Sequence, residues 1–275
     1  MKIVVIGGSG LIGSKLVTQL REHGHEAIPA SPRTGVNTLT GEGLAEVLKG
    51  ASVVVDVSNS PSFEEPAAMN FFTTATPNLL RCGQAAGVRH YVALSVVGTD
   101  RLAQNRPSDG EKTIRGYFRA KLAQEKLIAE SPMPFSIVHA TQFYEFFKNI
   151  ADASSDGRTV RLAPVLIQPM AADDVASAVG RIAVGTPVNG IVETGGPEQF
   201  RLDEFIRKGL LARNDPRAVI ADPASGYFGV EVDERTLLPG VDAQLGEMHF
   251  ETWLAQSAQP AAKTQSSANA VATSR

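Results

Sequence analysis

Cysteine is almost absent from this chain, because Cys82 is the only one in 275 residues. A single thiol excludes an internal disulfide and a zinc site built from several cysteines. Low cysteine content is typical of a reducing compartment, and we therefore expect a cytoplasmic protein.

The sequence also lacks an excess of basic residues and any long hydrophobic run. Lysine and arginine together number 26, aspartate and glutamate 29, and the formal net charge is -3. Proteins that bind nucleic acids usually carry a basic surface for the phosphate backbone, so we expect no nucleic-acid partner. No stretch reaches the ~18 apolar residues that a membrane span needs, so we expect no membrane association.

Metal-ligand patterns are missing as well. The five histidines show no spacing typical of metal ligands, and we expect no metal site. His139 follows an apolar run, where a role in proton transfer and a structural role at a strand end are both open.

Short apolar runs alternate with stretches of helical period over the first 140 residues. The runs are continuous rather than alternating, which is typical of strands covered on both faces by helices. This order predicts an α/β fold with a doubly wound parallel sheet. The predicted strands are Ile3–Ile6, Ala27–Ile28, Val53–Val55, Tyr91–Leu94 and Phe135–Val138.

The remaining sequence is less regular. Residues 1–140 are predicted to bind the cofactor, and 141–255 to form a small substrate-binding portion interleaved with that core. Residues 256–275 are rich in Ala, Ser and Gln and lack large apolar side chains. Such a segment buries too little surface to offset its ordering entropy, so a disordered tail is predicted.

A glycine-rich turn follows the first predicted strand and leads into a helical pattern. Glycine permits the tight bend, the close approach of a pyrophosphate and the packing of helix on strand, while the helix N-terminus supplies amide donors. The turn therefore predicts dinucleotide binding by Gly7, Ser9, Gly10, Leu11, Ile12 and Gly13.

The segment after the second predicted strand favours one form of the dinucleotide. An acidic residue there would bind the ribose hydroxyls of NAD, but this chain has Ser31 and Arg33 instead. A cation and a hydroxyl suit the 2′-phosphate of NADP. We expect NADP(H) to be preferred over NAD(H). The less favoured alternative is that Arg33 is an ordinary surface residue.

Tyr117 and Lys121 are four residues apart in a predicted helix and so share one face. A free phenol titrates near pH 10, and a nearby ammonium together with the positive nicotinamide ring would lower that pKa enough for general acid or base chemistry. Asn59, in the loop after the strand at Val53–Val55, is expected to border the cofactor. A simple turn role would explain Asn59 nearly as well.

With these features in this order, the chain resembles the short-chain dehydrogenase/reductase superfamily, and more closely its atypical, NmrA-like branch. The resemblance spans about residues 1 to 255 and includes the phrases YVALSVVGTD, YFRAKLAQEKLI, IVHATQF and AADDVASAV. It implies a Rossmann domain with a small C-terminal part, an NAD(P) cofactor and, commonly, a homodimer. It further implies that Lys121 holds the nicotinamide ribose and that Tyr117 donates the proton.

The resemblance also implies a serine or threonine hydroxyl that polarises the substrate carbonyl. Ser95 is the candidate and would also border the cofactor. It stands earlier in the sequence than the expected position of the catalytic hydroxyl, which Val97 occupies more closely. Thr99, or Thr141 and Gln142 after the strand at Phe135–Val138, could supply a substitute hydrogen bond. We expect Thr141 to contact the cofactor.

Two functions are consistent with this pattern. The first is an NADP(H)-dependent oxidoreductase that reduces a small carbonyl or quinone-like acceptor, with Tyr117 as general acid/base and Lys121 positioning the cofactor. The alternative is a non-catalytic NADP(H) sensor that acts through a protein partner, as some NmrA-like relatives do. Aromatic residues around positions 71, 143 and 227 favour a flat, apolar substrate.

Overall fold

The computed structural model describes residues 1–106 and 114–258. The strands in these ranges are β1 (Lys2–Ile6), β2 (Glu26–Ala30), β3 (Val53–Asp56), β4 (His90–Val96), β5 (Phe135–Ala140), β6 (Thr159–Leu162), β7 (Leu166–Ile167), β8 (Gly190–Gly195), β9 (Phe200–Arg201), β10 (Ala218–Ala221) and β11 (Gln244–Leu245). The helices are α1 (Leu11–Glu22), α2 (Leu44–Leu48), α3 (Glu65–Ala85), α4 (Thr99–Gln104), α5 (Arg115–Ala129), α6 (Phe147–Ala153), α7 (Ala172–Val184), α8 (Leu202–Ala212) and α9 (Phe250–Ala258).

A seven-stranded sheet forms the centre of the molecule, in the order β11-β8-β5-β4-β3-β1-β2. All of its strand pairs are parallel. All four residues of β3 are buried, as continuous apolar runs in a doubly covered sheet require. The predicted doubly wound parallel sheet is therefore confirmed.

Helices cover both faces of this sheet and create two apolar layers. On one face, Leu16 of α1 and Val179 of α7 pack with Val5 of β1. On the other face, Leu79 of α3 and Ile128 of α5 belong to the second layer. Because both layers are dry and continuous, the sheet holds the carboxyl ends of its strands in fixed positions.

The C-terminal portion contributes to the central sheet and also forms a third apolar cluster. Its strands β8 and β11 extend the sheet, whereas β6 pairs with β10 and β7 with β9. Phe205 and Phe250 lie at the centre of the cluster, 4.5 Å apart between ring centroids. Residues after 140 are thus built into the core rather than attached to it.

The predicted start of the tail at residue 256 is wrong. Helix α9 continues to Ala258, so the first three residues of the predicted disordered segment are helical. Trp253 of this helix packs against Tyr144 and Phe250, which explains why the helix extends here. The remainder, 259–275, lies outside the described residues. In the described ranges, no helix has the length and apolar character needed to cross a membrane.

Candidate active site

A cleft of about 910 Å³ opens at the carboxyl ends of β1 to β5. Most of the residues predicted to bind cofactor or to act in catalysis line it: Gly7, Ser9, Gly10, Leu11, Ile12, Ser31, Asn59, Ser95, Tyr117, Lys121 and Thr141. Two predicted residues are not among its lining, because Gly13 is buried inside α1 and Arg33 is exposed outside the cleft. This is the edge at which open parallel sheets bind their ligands.

The glycine turn between β1 and α1 is tightly packed. Gly7 has a φ of +78°, and a side chain there would come within 2.8 Å of the Ser58 amide. A Cβ on Gly13 would collide with the Gly7 carbonyl oxygen. Both positions therefore need glycine for the turn itself, independently of any ligand.

Gly10 differs from these two glycines. A Cβ at Gly10 would meet only the Gly7 carbonyl oxygen, at 3.3 Å, a tight contact that needs a small shift but not the collision found at Gly13. Gly10 is also the N-cap of α1 and provides no side-chain hydrogen bond to the first turn. The free amide groups and the positive end of the helix dipole therefore face the cleft, and this arrangement fits a dinucleotide pyrophosphate.

The end of β2 borders the same cleft. Ser31 is buried and lines the cleft together with Pro32. Pro32 begins a short helical turn that ends at Thr34, and the Ser31 amide donates to Thr34 Oγ1 at 2.9 Å. Arg33 lies on this turn and is exposed to solvent. The turn thus places a cation beside the cleft, although not in its wall.

Tyr117 lies in the first turn of α5 and is 8% exposed. Its hydroxyl donates to Asn59 Oδ1 at 3.0 Å, and its ring contacts Phe63 with centroids 5.1 Å apart. Burial raises the pKa of Tyr117 above its usual value, and the Asn59 hydrogen bond offsets only part of this rise. The predicted lowering of this pKa requires the positive nicotinamide ring as well as Lys121, and it stays a prediction for the complex with the cofactor.

Lys121 is one turn further along α5 and is 2% exposed. Its Nζ donates to the Leu94 carbonyl at 2.9 Å and to Gln124 Oε1, and it lies 4.6 Å from the centroid of the Phe72 ring. Burial lowers the pKa of Lys121 to about 8, while Asp56 and Glu125 limit the decrease. These contacts fix the ammonium group at the cleft wall.

Ser95 lies inside β4 rather than after it, and its hydroxyl donates to Glu125 Oε1. His139 Nε2 lies 3.0 Å from the same carboxylate oxygen. Ser95 and His139 are register partners on adjacent strands, so their side chains meet Glu125 together. The Ser95 hydroxyl is thereby bonded to a carboxylate, and Val97 is fully buried.

Glu125 and Gln124 are the site residues that sequence reasoning missed. Glu125 is four residues after Lys121 and eight after Tyr117, a spacing that indicates the same helical face. Gln124 links Lys121 to Asp56, because its amide nitrogen donates to Asp56 Oδ2 at 3.1 Å. The spacing was therefore a usable signal for Glu125.

The two threonines proposed as substitutes donate to backbone carbonyls. Thr141 Oγ1 donates to the Gln168 carbonyl at 2.6 Å, and Thr99 Oγ1 to the Val96 carbonyl at 2.6 Å. Thr141 still lines the cleft, whereas Thr99 is fully buried. Neither hydroxyl is free to replace Ser95 in this arrangement.

The electrostatic character of the cleft is simple. Among the described residues that line it, Lys121 is the only charged one. Aromatic and aliphatic side chains line the part beyond Tyr117: Phe63, Phe71, Ile114, Phe118, Phe143, Phe146, Ile150, Tyr227 and Phe228. The site therefore combines a polar glycine turn with a neutral, apolar chamber.

Several known proteins are similar to this chain. A 3-beta-hydroxysteroid dehydrogenase of Mycolicibacterium neoaurum is 32% identical over 112 residues, covering 33% of this chain and 31% of that relative. The chain thus matches less than a third of that relative's length. Among solved structures, MoeE5 in complex with UDP-glucose and NAD has a TM-score of 0.67 at 17% identity, covering 94% of this chain and 98% of its own.

A short-chain dehydrogenase/reductase superfamily protein from Agrobacterium tumefaciens, with bound NAD, has a TM-score of 0.66 at 18% identity. The match covers 94% of this chain and 96% of that one. At these identities, the likeness shows a shared Rossmann fold. The profile of the NAD(P)H-binding family matches residues 7–183, which begin within the glycine turn and include Tyr117 and Lys121. The chain therefore belongs to the NAD(P)H-binding family.

Proposed function

We propose that the protein is an NADP(H)-dependent oxidoreductase that reduces an uncharged, largely apolar carbonyl or quinone-like acceptor. The observation that carries the proposal is a buried phenol beside a single cation, in an otherwise neutral chamber next to a dinucleotide-type glycine turn. Bound NADPH supplies the hydride. Tyr117 gives its hydroxyl proton to the carbonyl oxygen, so that a carbonyl compound becomes an alcohol.

The environment of Tyr117 supports this direction of proton transfer. A proton donor must be protonated before the reaction, and burial keeps the phenol neutral by raising its pKa. The Asn59 amide oxygen orients the hydroxyl towards the cleft wall until an acceptor oxygen replaces it. Lys121 then supplies the positive charge that stabilises the developing phenolate.

The preference for NADP(H) rests on the end of β2. A carboxylate there would repel a 2′-phosphate, but the cleft wall carries Ser31 at this place, with Arg33 on the adjoining turn. The Arg33 side chain can rotate towards the cleft and so reach a 2′-phosphate that projects from it. These two residues support NADPH over NADH.

The lining of the cleft supports a neutral acceptor more than a nucleotide sugar. MoeE5 is described in complex with UDP-glucose, but the cleft of this chain has only Lys121 as a charged lining residue in the described ranges. A second diphosphate would need further cations or amide donors there. The partial match to a 3-beta-hydroxysteroid dehydrogenase agrees with an apolar alcohol or ketone.

The test is turnover of NADPH with a panel of neutral aromatic ketones, aldehydes and quinones. We expect Tyr117→Phe to lower kcat about 100-fold or more, since a positioned proton donor contributes 10²–10⁴-fold, while the affinity for NADPH stays within about threefold. Tyr144→Phe is the matched control, because Tyr144 is a buried tyrosine outside the cleft lining whose hydroxyl donates to the Met248 carbonyl at 2.9 Å. Equal turnover by Tyr117→Phe and the control would refute the proton-donor role.

One observation favours a second candidate, a cofactor sensor without catalysis. The Ser95 hydroxyl donates to Glu125 and so does not polarise a substrate carbonyl in this conformation. A sensor would bind NADPH tightly and show no acceptor-dependent oxidation across the panel. That result would replace the reductase with the sensor.

A further inference from the structure

Gln142 carries an unusual buried amide in the cleft. The residue is 7% exposed and lines the chamber, yet neither its Oε1 nor its Nε2 makes a hydrogen bond of normal geometry with the described residues. A weaker interaction with the Tyr227 side chain offsets only part of the rise that burial causes in the pKa of Tyr227. A buried amide without partners costs free energy, so such groups are rare unless a ligand satisfies them.

The position of Gln142 is fixed by its backbone. It follows β5 directly after Thr141, and its carbonyl accepts from the Met170 amide at 2.8 Å. The Thr141 amide donates to the Thr194 carbonyl at 3.0 Å. The side-chain amide of Gln142 therefore extends from an anchored strand end. Movement of the backbone cannot bring it to another hydrogen-bond partner.

Gln142 lies beside an aromatic residue of the C-terminal portion, because its side chain interacts with that of Tyr227. Tyr227 and Phe228, from the C-terminal portion, line the same cleft, and their rings meet edge to face at 4.9 Å. Phe228 has a φ of +48°, a left-handed conformation that is strained for a bulky residue. Strain of this kind persists where the surrounding structure imposes it, and it concentrates at ligand sites.

We propose that Gln142 is a specificity-determining residue that binds a second polar group, a hydroxyl or carbonyl, on the neutral apolar acceptor. This inference rests on the proposed function, since Tyr117 takes the reacting carbonyl and Gln142 the second group. The amide offers both a donor and an acceptor, while Tyr227 and Phe228 pack against the apolar body of the substrate.

The physical basis is the cost of leaving the amide unpaired in the complex. An acceptor without the second polar group would fill the chamber and exclude water while the amide remains unsatisfied. A site of this kind rejects the analogue that lacks the polar group more strongly than it rejects a change in apolar size. We expect a preference of about tenfold or more for the acceptor with the polar group.

The first experiment compares thermal stability. Gln142→Met keeps the volume and removes an unpaired amide, so the Tm should stay unchanged or rise. Gln168→Met is the matched control. Gln168 is also a buried glutamine but is satisfied: its Nε2 donates to the Gly196 carbonyl at 2.8 Å, and its Oε1 accepts from Gln199 at 3.0 Å. The control should lose several degrees, and an equal loss in Gln142→Met would overturn the proposal.

The second experiment uses two pairs of probes: acetophenone with para-hydroxyacetophenone, and benzylacetone with para-hydroxybenzylacetone. The ratio of kcat/KM within a pair is compared between wild type, Gln142→Met and Gln168→Met, which cancels intrinsic reactivity. We expect wild type and Gln168→Met to prefer a hydroxylated ketone about tenfold, and Gln142→Met to lose that preference. An unchanged ratio in Gln142→Met, or no preference in wild type, overturns the proposal.

Two further outcomes separate this inference from the proposed function. If none of the probes is reduced, the reductase proposal fails, and calorimetric binding of the same pairs to the NADPH-loaded protein still measures the preference. If Gln142→Met weakens NADPH itself about tenfold, the amide holds the cofactor and the inference is wrong.

Discussion

Tyr117 and Lys121 lie one helical turn apart, and burial favours the uncharged form of each. The pKa of Tyr117 is raised, and that of Lys121 is lowered to about 8. The phenol therefore stays protonated over the whole neutral range, whereas the lysine loses its charge just above it. The titration of the site near neutral pH is accordingly assigned to Lys121.

This assignment predicts the pH dependence of cofactor capture. Lys121 is positively charged below about pH 8 and attracts the anionic cofactor, so kcat/KM for NADPH should fall as the pH rises through about 8. Lys121→Arg keeps the charge at higher pH. In this variant, the fall in kcat/KM should occur more than one pH unit higher. A limb that stays at the same pH in this variant would contradict the assignment.

Arg33 gives a second prediction at the scale of one residue. Arg33→Ala should weaken NADPH binding by about tenfold, the typical effect of losing a charged hydrogen bond, and leave NADH binding unchanged. Arg89→Ala is the charge control. Arg89 is also exposed, but it directly precedes β4 and so lies at the amino ends of the strands, away from the cleft. Fluorescence titrations with both cofactors measure the ratio. An unchanged ratio in Arg33→Ala would remove Arg33 from the cofactor site.

At the scale of elements, two glycines at the start of α1 have different roles: Gly13 is needed for packing, and Gly10 faces the ligand site. Gly13→Ala would force its Cβ against the Gly7 carbonyl, and such overpacking costs about 1–3 kcal/mol in the free energy of unfolding. Gly10→Ala meets the same oxygen at 3.3 Å, a tight contact that a shift of the turn relieves, so its loss of stability should be smaller.

The two variants should therefore fail in different measurements. Denaturant unfolding should show the larger loss of stability in Gly13→Ala. NADPH titration should show about tenfold weaker binding in Gly10→Ala, where a methyl group occupies space for the pyrophosphate. Full NADPH affinity in Gly10→Ala would mean that the pyrophosphate lies elsewhere.

The elements that the sequence predicts correctly are those fixed by local patterns. The apolar runs place β1, β3 and β5 within one or two residues, and the glycine spacing places the turn before α1. Helix α3 is harder to predict, because Pro77 lies in its interior and proline normally ends a helix. Tertiary packing of Phe72 and Leu79 overrides that local preference.

The role of Ser95 shows the limit of sequence reasoning within one element. β4 runs two residues beyond the predicted Leu94, so that Ser95 becomes part of the strand and faces α5. A carboxylate on the buried face of α5 is unexpected for a charged residue. Only the three-dimensional pairing of Glu125 with Ser95 and His139 explains its burial.

At the scale of the whole molecule, the chamber joins distant parts of the chain. The glycine turn and α5 come from the first half, whereas Tyr227 and Phe228 come from the C-terminal portion. No local pattern predicts which aromatic residues meet across such a separation. The sequence therefore predicts the cofactor end of the site better than the substrate end.

The central claim is that this chamber transfers hydride from NADPH to a neutral carbonyl. The most direct measurement is mass spectrometry of the products after incubation of the protein with NADPH deuterated at nicotinamide C4 and the panel of ketones and aldehydes. Quinones are followed by the oxidation of NADPH instead, because a hydroquinone carries its new hydrogens on exchangeable hydroxyl groups. We predict deuterium on the former carbonyl carbon of at least one alcohol product, and its loss in Tyr117→Phe. Tight NADPH binding without label transfer to any acceptor would contradict the claim and identify the protein as a binding module.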